Sequence, residues 1–491
     1  MNLVKLEIKT LQTRLVPLNT DDPLVIELWT YLDSTLSYEI HNSFYIKAMS
    51  SKTFIRDMWD GCDHLFNVKT GMVTTGLLPY VIEALKQFNI SYAVIDYRPV
   101  YEPEDTLQPL ENLISRKYQE DAVAKCIEYK RGIIWCRPRS GKTVISVMLV
   151  AKLNIFPVLS ICQTIEIAYQ TVNAFKKFLP GVKVGLIGDG TCDIQDVTIA
   201  TIQSLSSAYS VKEKFTKSSL EKTPAQTRKE NIRTLVETSK IVWVDEVHHT
   251  ASATYKYILQ NKTYAAEYLL GCSGTPFRED NTNLLIESLI GPIIYEINYS
   301  KLIEDGYLVR PTVHFIKIPK NIQVDSNAAY SKIYKDAITH NSVRNAAIVK
   351  AVTSLVKRGK TCMVLVSKIS HGEALVKIIP NAEFSYSKSK DRAQLWRRLE
   401  TGVLPCLITT LGDEGVDAPS LGAVIIAAGG KSAIKVFQRL RCLTPYEGKK
   451  YAIVVDFIDP YKYLHSHSKK RERLYKSEPS FRVTYKDAKI H

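Results

Sequence analysis

What this sequence lacks narrows the field first. No apolar run approaches the roughly 20 residues that cross a bilayer. Met1 to Lys9 alternates charged and apolar residues where a signal peptide would hold an unbroken apolar core. No cationic amphipathic helix of the membrane-anchoring kind stands out. These absences predict a cytosolic protein with no membrane partner. The nine cysteines are odd in number and no two sit at metal-ligand spacing, so buried, reduced thiols are expected rather than disulfides or zinc. Acidic residues are under-represented: 50 Asp and Glu face 65 Lys and Arg, a net charge of +15. That surplus points to a polyanionic partner and a salt-sensitive contact, with nucleic acid favoured over an acidic membrane surface. At 491 residues, 45% hydrophobic and 23% charged, the chain has a globular composition and room for roughly three to four domains.

What is present is a phosphate-binding pattern. Ile133-Ile134-Trp135 precedes Cys136-Arg137-Pro138-Arg139-Ser140-Gly141-Lys142-Thr143, and Ile241-Val242-Trp243-Val244 precedes Asp245-Glu246-Val247-His248. Both apolar runs read as buried parallel strands. A loop between strand and helix offers backbone N–H groups to a polyphosphate at the helix N-terminus. Lys142 would reach the β- and γ-phosphates and Thr143 would hold Mg²⁺. The order of the two motifs predicts nucleoside triphosphate hydrolysis.

Residues 1–97 read as a small α+β module, with strands at Val4–Ile8, Phe44–Ile46 and Tyr92–Ile95 and helices at Leu24–Tyr31 and Leu77–Phe88. The proline-bearing, acidic stretch within 98–109 reads as a linker. From 110 to 297 strands and helices alternate as in a parallel sheet, with strands expected at 132–136, 156–162, 196–200, 241–244 and 268–272. The polar, lysine-rich 206–240 reads as an excursion from that sheet. A second alternating block, 298–457, has strands at 362–366, 406–409, 424–427 and 451–457, helices at 343–358, 391–400 and 433–440, and no phosphate loop of its own. Two such blocks suggest a nucleotide clamped between them. The stretch 458–491 reads as a basic extension: from Tyr461 on it holds nine Lys/Arg against three Asp/Glu. A solvated tail and a nucleic-acid contact fit it equally; Tyr461, Tyr463 and Tyr475 could stack on bases, though helix packing is the more ordinary role.

An ordered series joins the two blocks: Arg116-Lys117-Tyr118-Gln119, the phosphate loop, Thr201-Ile202-Gln203, Asp245 to His248, Ser273-Gly274-Thr275-Pro276, Thr409-Thr410 with Gly415-Val416-Asp417, and Gln438-Arg439-Leu440-Arg441. It resembles the superfamily 2 helicases of the Asp-Glu-x-His type over roughly 110–457. Trp59-Asp60-Gly61, Leu77 to Asp96 and Val366 to Ala374 resemble more closely the phage branch-migration helicases. The resemblance implies two tandem RecA-like domains, ATP and Mg²⁺ as cofactors, and branched DNA as partner: junctions, stalled forks and displacement loops. It implies a cytoplasmic location, the host's if a phage encodes the chain, and leaves protein partners unknown.

The resemblance also assigns roles. Tyr118 and Gln119 would contact the adenine, whose N6/N7 edge suits one amide donor and one acceptor. Ser140, Gly141, Lys142 and Thr143 would hold the phosphates. Thr143 and Asp245 would organise Mg²⁺, which keeps water ligands and needs few from the protein. Glu246 would orient and deprotonate the attacking water. His248, Ser273 and Thr275 would couple the nucleotide to the DNA, and Gly415 and Asp417 would complete the ATP site. Trp59, Thr201, Gln203, Lys368 and Thr409 would touch nucleic acid. The last motif departs from Gln-x-x-Gly-Arg-x-x-Arg: an ungapped overlay puts Cys442 and Pro445 at the arginine positions. A deleted glycine makes Arg441 the arginine finger, with Arg439 the alternative and Gln438 opening the motif. Cys136, Arg137 and Arg139 also depart from the usual phosphate loop; one of these arginines could face DNA or the second block.

An ATP-gated clamp without unwinding and a restriction-type translocase are the competing functions. No paired carboxylate-plus-lysine cluster of a nuclease is evident in the chain.

Overall fold

The computed structural model describes residues 3–40, 42–49, 59–106, 108–138, 140–209, 223–274, 282–325, 327–389, 391–410, 419–430 and 440–488. The chain divides into two compact units: 1–136 with 141–296, and 137–140 with 297–491.

The first unit holds two sheets. Its larger sheet runs, in spatial order, Thr191–Cys192, Val184–Gly188, Val197–Thr201, Val158–Cys162, Ile241–Asp245, Tyr268–Ser273, Arg131–Cys136 and Ile293–Ile297. Neighbours from Val184–Gly188 across to Arg131–Cys136 are parallel. Strands such as Val158–Cys162 and Val197–Thr201 are buried at every residue, the pattern of a parallel sheet covered by helices on both faces. This is an α/β domain of the RecA-like kind, and the second unit contains another.

The smaller sheet joins Phe66–Asn67, Met72–Thr74, Gln12–Pro17, Val4–Ile8 and Tyr92–Asp96, under the helices Pro23–Thr35 and Leu78–Gln87. This α+β module is seated on the larger domain. Gly76 lies so close to the helix Asn283–Ile290 that a Cβ there would meet the carbonyls of Glu287 and Ser288 at 2.3 and 2.4 Å. The Tyr80 hydroxyl donates to the Glu287 carboxylate. Arg131 donates to the Thr10 and Leu289 carbonyls at 2.5 and 2.6 Å. Burial, with Arg98 nearby, pushes the Arg131 guanidinium down to about 9.

Four stretches differ from their sequence reading. Phe44–Ile46 lies in a helix, Ser43–Met49, because three apolar residues in a row carry no period and both Phe44 and Tyr45 are exposed. The stretch read as a linker is strapped to the first domain: Tyr101 N–H donates to Glu267 at 2.8 Å, and Asn154 donates to the Glu104 and Thr106 carbonyls. Within 206–240, Pro224–Thr238 is a helix whose Ile232, Leu235 and Val236 enter the domain core. The basic extension is no solvated tail. It forms the helix Leu464–Lys476 and a strand, Arg482–Asp487, paired in parallel with Arg310–Lys317. Tyr461 and Tyr475 are buried in packing, whereas Tyr463 and His465 are exposed.

The second unit's sheet runs Ala382–Ser385, Cys406–Thr409, Cys362–Leu365, Ala423–Ile426, Tyr451–Ile458, Arg310–Lys317 and Arg482–Asp487. All its strand pairs are parallel. The expected helices appear at Ser342–Val356 and Arg392–Glu400; the third, 433–440, falls almost wholly outside the described residues. Among the described residues, no helix is long and apolar enough to cross a membrane.

Candidate active site

Sheet register assembles the site. The parallel pairing sets Asp245 beside Cys272 and Ser273 beside Trp135, so three adjacent strands end together. Ligands of open α/β sheets bind at such carboxyl ends. The phosphate loop leaves one of these strands and enters the helix Lys142–Leu153 through Gly141. Gly141 has φ +77°, a left-handed conformation suited to glycine, and a Cβ there would meet Gln119 Nε2 at 2.5 Å.

Beyond Asp245 the chain turns sharply. Glu246 itself takes φ +52° and ψ +62°, costly for a residue with a side chain. This turn brings its carboxylate to the Lys142 ammonium, with which it forms a close ion pair. Ser273 Oγ donates to Glu246 Oε2 at 3.1 Å, and His248 Nδ1 lies 3.0 Å from Ser273 Oγ and 3.4 Å from Glu246 Oε2. Lys142, Glu246, Ser273 and His248 therefore form one connected network at the strand ends. Burial works to raise the Glu246 carboxyl, but Lys142 and His248 outweigh it and hold it well below the usual range. Burial likewise opposes the Lys142 charge, and Glu246 and Asp245 overcome it.

Asp245 behaves differently: burial raises its carboxyl, only partly offset by Lys142. Its Oδ1 accepts from Glu246 N–H at 3.0 Å and from the Cys272 thiol at 3.3 Å. Cys272 was no candidate in the sequence. Its partnership with Asp245 follows from register alone, and burial with Asp245 beside it pushes the thiol up. A buried carboxylate whose ionised form is disfavoured, next to a helix N-terminus carrying Thr143, suits a divalent cation that keeps most of its water. Among the described residues no group of three or more His, Cys, Asp or Glu could hold a metal.

Tyr118 and Gln119 sit buried at the start of the helix Lys117–Tyr129. Gln119 Oε1 already accepts from Arg116 N–H at 3.0 Å, and Arg116 Nη1 donates to the Tyr118 hydroxyl at 2.8 Å. The glutamine's acceptor thus caps its own helix, while its amide nitrogen faces Gly141. Arg137 and Ser140 belong to the second unit. Arg137 pairs with Glu478 at 2.8 Å, both nearly buried, and lies over the Tyr299 ring.

Candidates elsewhere in the first unit have other partners. Thr201 Oγ1 bonds Ser204 Oγ at 2.9 Å, and Gln203 donates to the Gln163 carbonyl at 3.2 Å. Gln163 and Gln203 line a shallow cleft of about 350 Å³ with Ser206 and Ser252. Trp59 is half-buried, its indole N–H donating to the Cys62 carbonyl at 2.7 Å. Lys368 is exposed at the start of Ile369–Val376, and Thr409 is buried at a strand end. Arg139, Thr275, Gly415, Asp417, Gln438 and Arg439 lie outside the described residues, and of Arg441 only the backbone, in the turn Arg441–Leu443, is described.

Residues 112–278 match the family described as type III restriction enzyme, res subunit. The chain is 28% identical to "Putative helicase 22" of Sulfolobus islandicus filamentous virus, over 71% of this chain and 65% of that protein. It therefore spans less than two thirds of that relative. It is 22% identical to "DNA 3'-5' translocase XPB2" of Sulfurisphaera tokodaii, over 76% and 86% of the two chains. Among solved structures, phage T4 UvsW aligns over 100% of both chains at 17% identity, with a TM-score of 0.45.

Proposed function

We propose that the chain is an ATP-dependent DNA translocase or helicase that remodels branched DNA. The observation that carries this reading is the Lys142–Glu246–Ser273–His248 network at the ends of adjacent parallel strands. In it Glu246 is the base for the attacking water, and Asp245 with Thr143 holds Mg²⁺, which when bound neutralises charge on the phosphates. A phosphate at the N-terminus of Lys142–Leu153 competes with Glu246 for Lys142. Nucleotide binding thus frees the carboxylate that must take the proton. Ser273 and His248 share that carboxylate, so they sense the exchange and couple it to the rest of the domain. Arg441, with Arg439 the alternative, is the candidate arginine finger.

The surplus of basic residues supports a nucleic-acid track. Preference for branch points is assigned to the N-terminal module, which the ATP chemistry does not need. Phe44 and Tyr45 there are 75% and 65% exposed, with Lys47 in the same helix. Exposed aromatics beside a cation suit stacking on unpaired bases, each stack worth ~1–3 kcal/mol. Because the module packs closely on the first domain, point variants test it better than truncation.

Phosphate release should rise on adding DNA, and more with a four-way junction than with linear duplex. Replacing Phe44 and Tyr45 together by Ala should remove the junction preference while keeping turnover on single strands. Equal stimulation by both substrates in the wild type would leave a plain DNA motor. The match to the res-subunit family favours a restriction-type translocase as the second reading, which predicts tracking on linear duplex with no preference for junctions.

A further inference from the structure

Residues 461–476 of the second unit hold three tyrosines that the chemistry above does not use, and their surroundings differ. Tyr461 and Tyr475 are buried. The Tyr461 hydroxyl accepts from Asn321 and Ile322 N–H at 3.1 and 3.3 Å, so packing accounts for it. Tyr463 is 43% exposed, yet its backbone is strained. It takes φ +63° and ψ −47°, and Leu464 N–H donates to the Lys462 carbonyl across it at 2.7 Å. This is the γ-turn geometry that residues with side chains rarely adopt. Such strain persists only where the surrounding structure imposes it, and it gathers at functional sites. Stability gives no reason for an exposed tyrosine here, since glycine adopts such a turn without strain.

A second exposed ring stands beside it. Tyr330 opens the helix Tyr330–Tyr334, is 41% exposed, and meets Tyr463 edge-on with ring centroids 6.1 Å apart. His467 and Tyr334 support Tyr330 at 5.6 and 6.0 Å. Lys462 Nζ lies 5.1 Å from the centre of the Tyr463 ring. Along Leu464–Lys476, residues three or four apart share a face, so Tyr463, His467 and Lys470 line up, with Arg473 next. Other cations of this helix already have acids. Lys469 and Lys476 pair with Glu472, and Arg471 pairs with Asp456 while also donating to the Phe457 carbonyl. Lys470 and Arg473 are exposed and have no acidic partner among the described residues. Two exposed rings leading into an uncompensated cationic stripe match a single strand of nucleic acid. Its bases stack on aromatic faces and its phosphates follow cations. An acidic peptide would use the cations but give the rings no role.

We propose that Tyr330 and Tyr463 form a stacking platform for an unpaired base of a single strand whose phosphates follow Lys470 and Arg473. This deepens the nucleic-acid reading above and rests on it. The helix Leu464–Lys476 then has two faces: one locked into the second unit by Arg471 and Tyr475, the other open to a strand.

The test uses the full chain without nucleotide, a fluorescent oligo(dT), and an abasic strand of the same length. Tyr463→Gly removes the ring and suits the turn, so the variant should fold and melt like the wild type. Its Kd for oligo(dT) should rise ~5–100-fold, as the loss of a stacked base implies. Its Kd for the abasic strand, which offers phosphates but no bases, should not change. Tyr330→Leu keeps an apolar side chain in place of the flat ring and should weaken oligo(dT) binding severalfold, with the same selectivity. If Tyr463→Gly does not fold, Tyr330→Leu decides alone. Wild-type Kd for oligo(dT) in the folded variants overturns the inference alone. An equal loss on both strands also overturns it, because the grip would then be on charge. A wild type that binds no single strand at low salt overturns it together with the DNA-motor reading.

Discussion

The strand Ile241–Asp245 in the first unit leads into two consecutive carboxylates, and Tyr451–Ile458 in the second brings Asp456 and Asp459 to the end of a similar parallel sheet. Their partners differ. Glu246 pairs with a lysine on the first turn of a helix, and both side chains keep 15–18% of their exposure. Asp456 and Asp459 pair with arginines, and the four side chains keep 2% or less. A lysine on a four-carbon stem can exchange one anion for another. A buried guanidinium that also holds backbone carbonyls cannot let go without breaking the fold. The same sheet end is thus used once for exchangeable chemistry and once for fixed architecture.

The largest effect that would break this contrast is catalytic. Glu246→Gln should fold normally and bind ATP, yet lose ~10²–10⁴-fold in turnover, the usual cost of removing a positioned base. Steady-state phosphate release checks it, and near-normal turnover would take the base assignment away.

Stability should show the reverse ranking. Asp459→Ala leaves Arg344 charged and buried without its partner, so about 3–5 kcal/mol should be lost in urea unfolding. Asp245→Asn removes a carboxylate that burial disfavours, and should change stability by no more than about 1 kcal/mol. Equal losses at the two positions would erase the distinction between the sheet ends.

A pH-dependent effect sharpens the fixed side. His371 is buried against Asn345, and burial, with Arg344 and His340 nearby, pushes its imidazole down to about 3. Its folded pKa lies below the ordinary value near 6.5, so the unfolded chain binds the extra proton between those values. Its contribution to stability is complete above about pH 6.5 and is lost as pH falls toward 3, at up to ~1.4 kcal/mol per unit. His371→Gln should flatten that slope relative to wild type; an unchanged slope would contradict the assignment.

The sequence made the exchangeable side legible because its signals are local. Ile241–Asp245 is a run of apolar residues ending in acid, and Gly141-Lys142-Thr143 opens a helix right after a strand. The fixed side was hidden for the opposite reason. Arg471 and Asp456 are fifteen residues apart, and charged side chains on a polar helix normally mean solvent. Arg482–Asp487 alternates mostly polar residues, so it read as tail although it pairs along Arg310–Lys317. Cys272 was missed likewise: its role comes from strand register, which no spacing in the chain reveals. At Phe44–Ile46 three adjacent apolar residues fitted either period, and no burial was there to decide between them.

The proposed motor requires that the first unit's strand ends hydrolyse ATP in response to DNA. The most direct measurement is phosphate release by the wild-type chain at saturating Mg²⁺ and ATP, with and without single-stranded DNA. Turnover should rise severalfold with DNA and fall again with added salt, as counterion release requires. No turnover in either condition, or turnover indifferent to DNA at low salt, would contradict it.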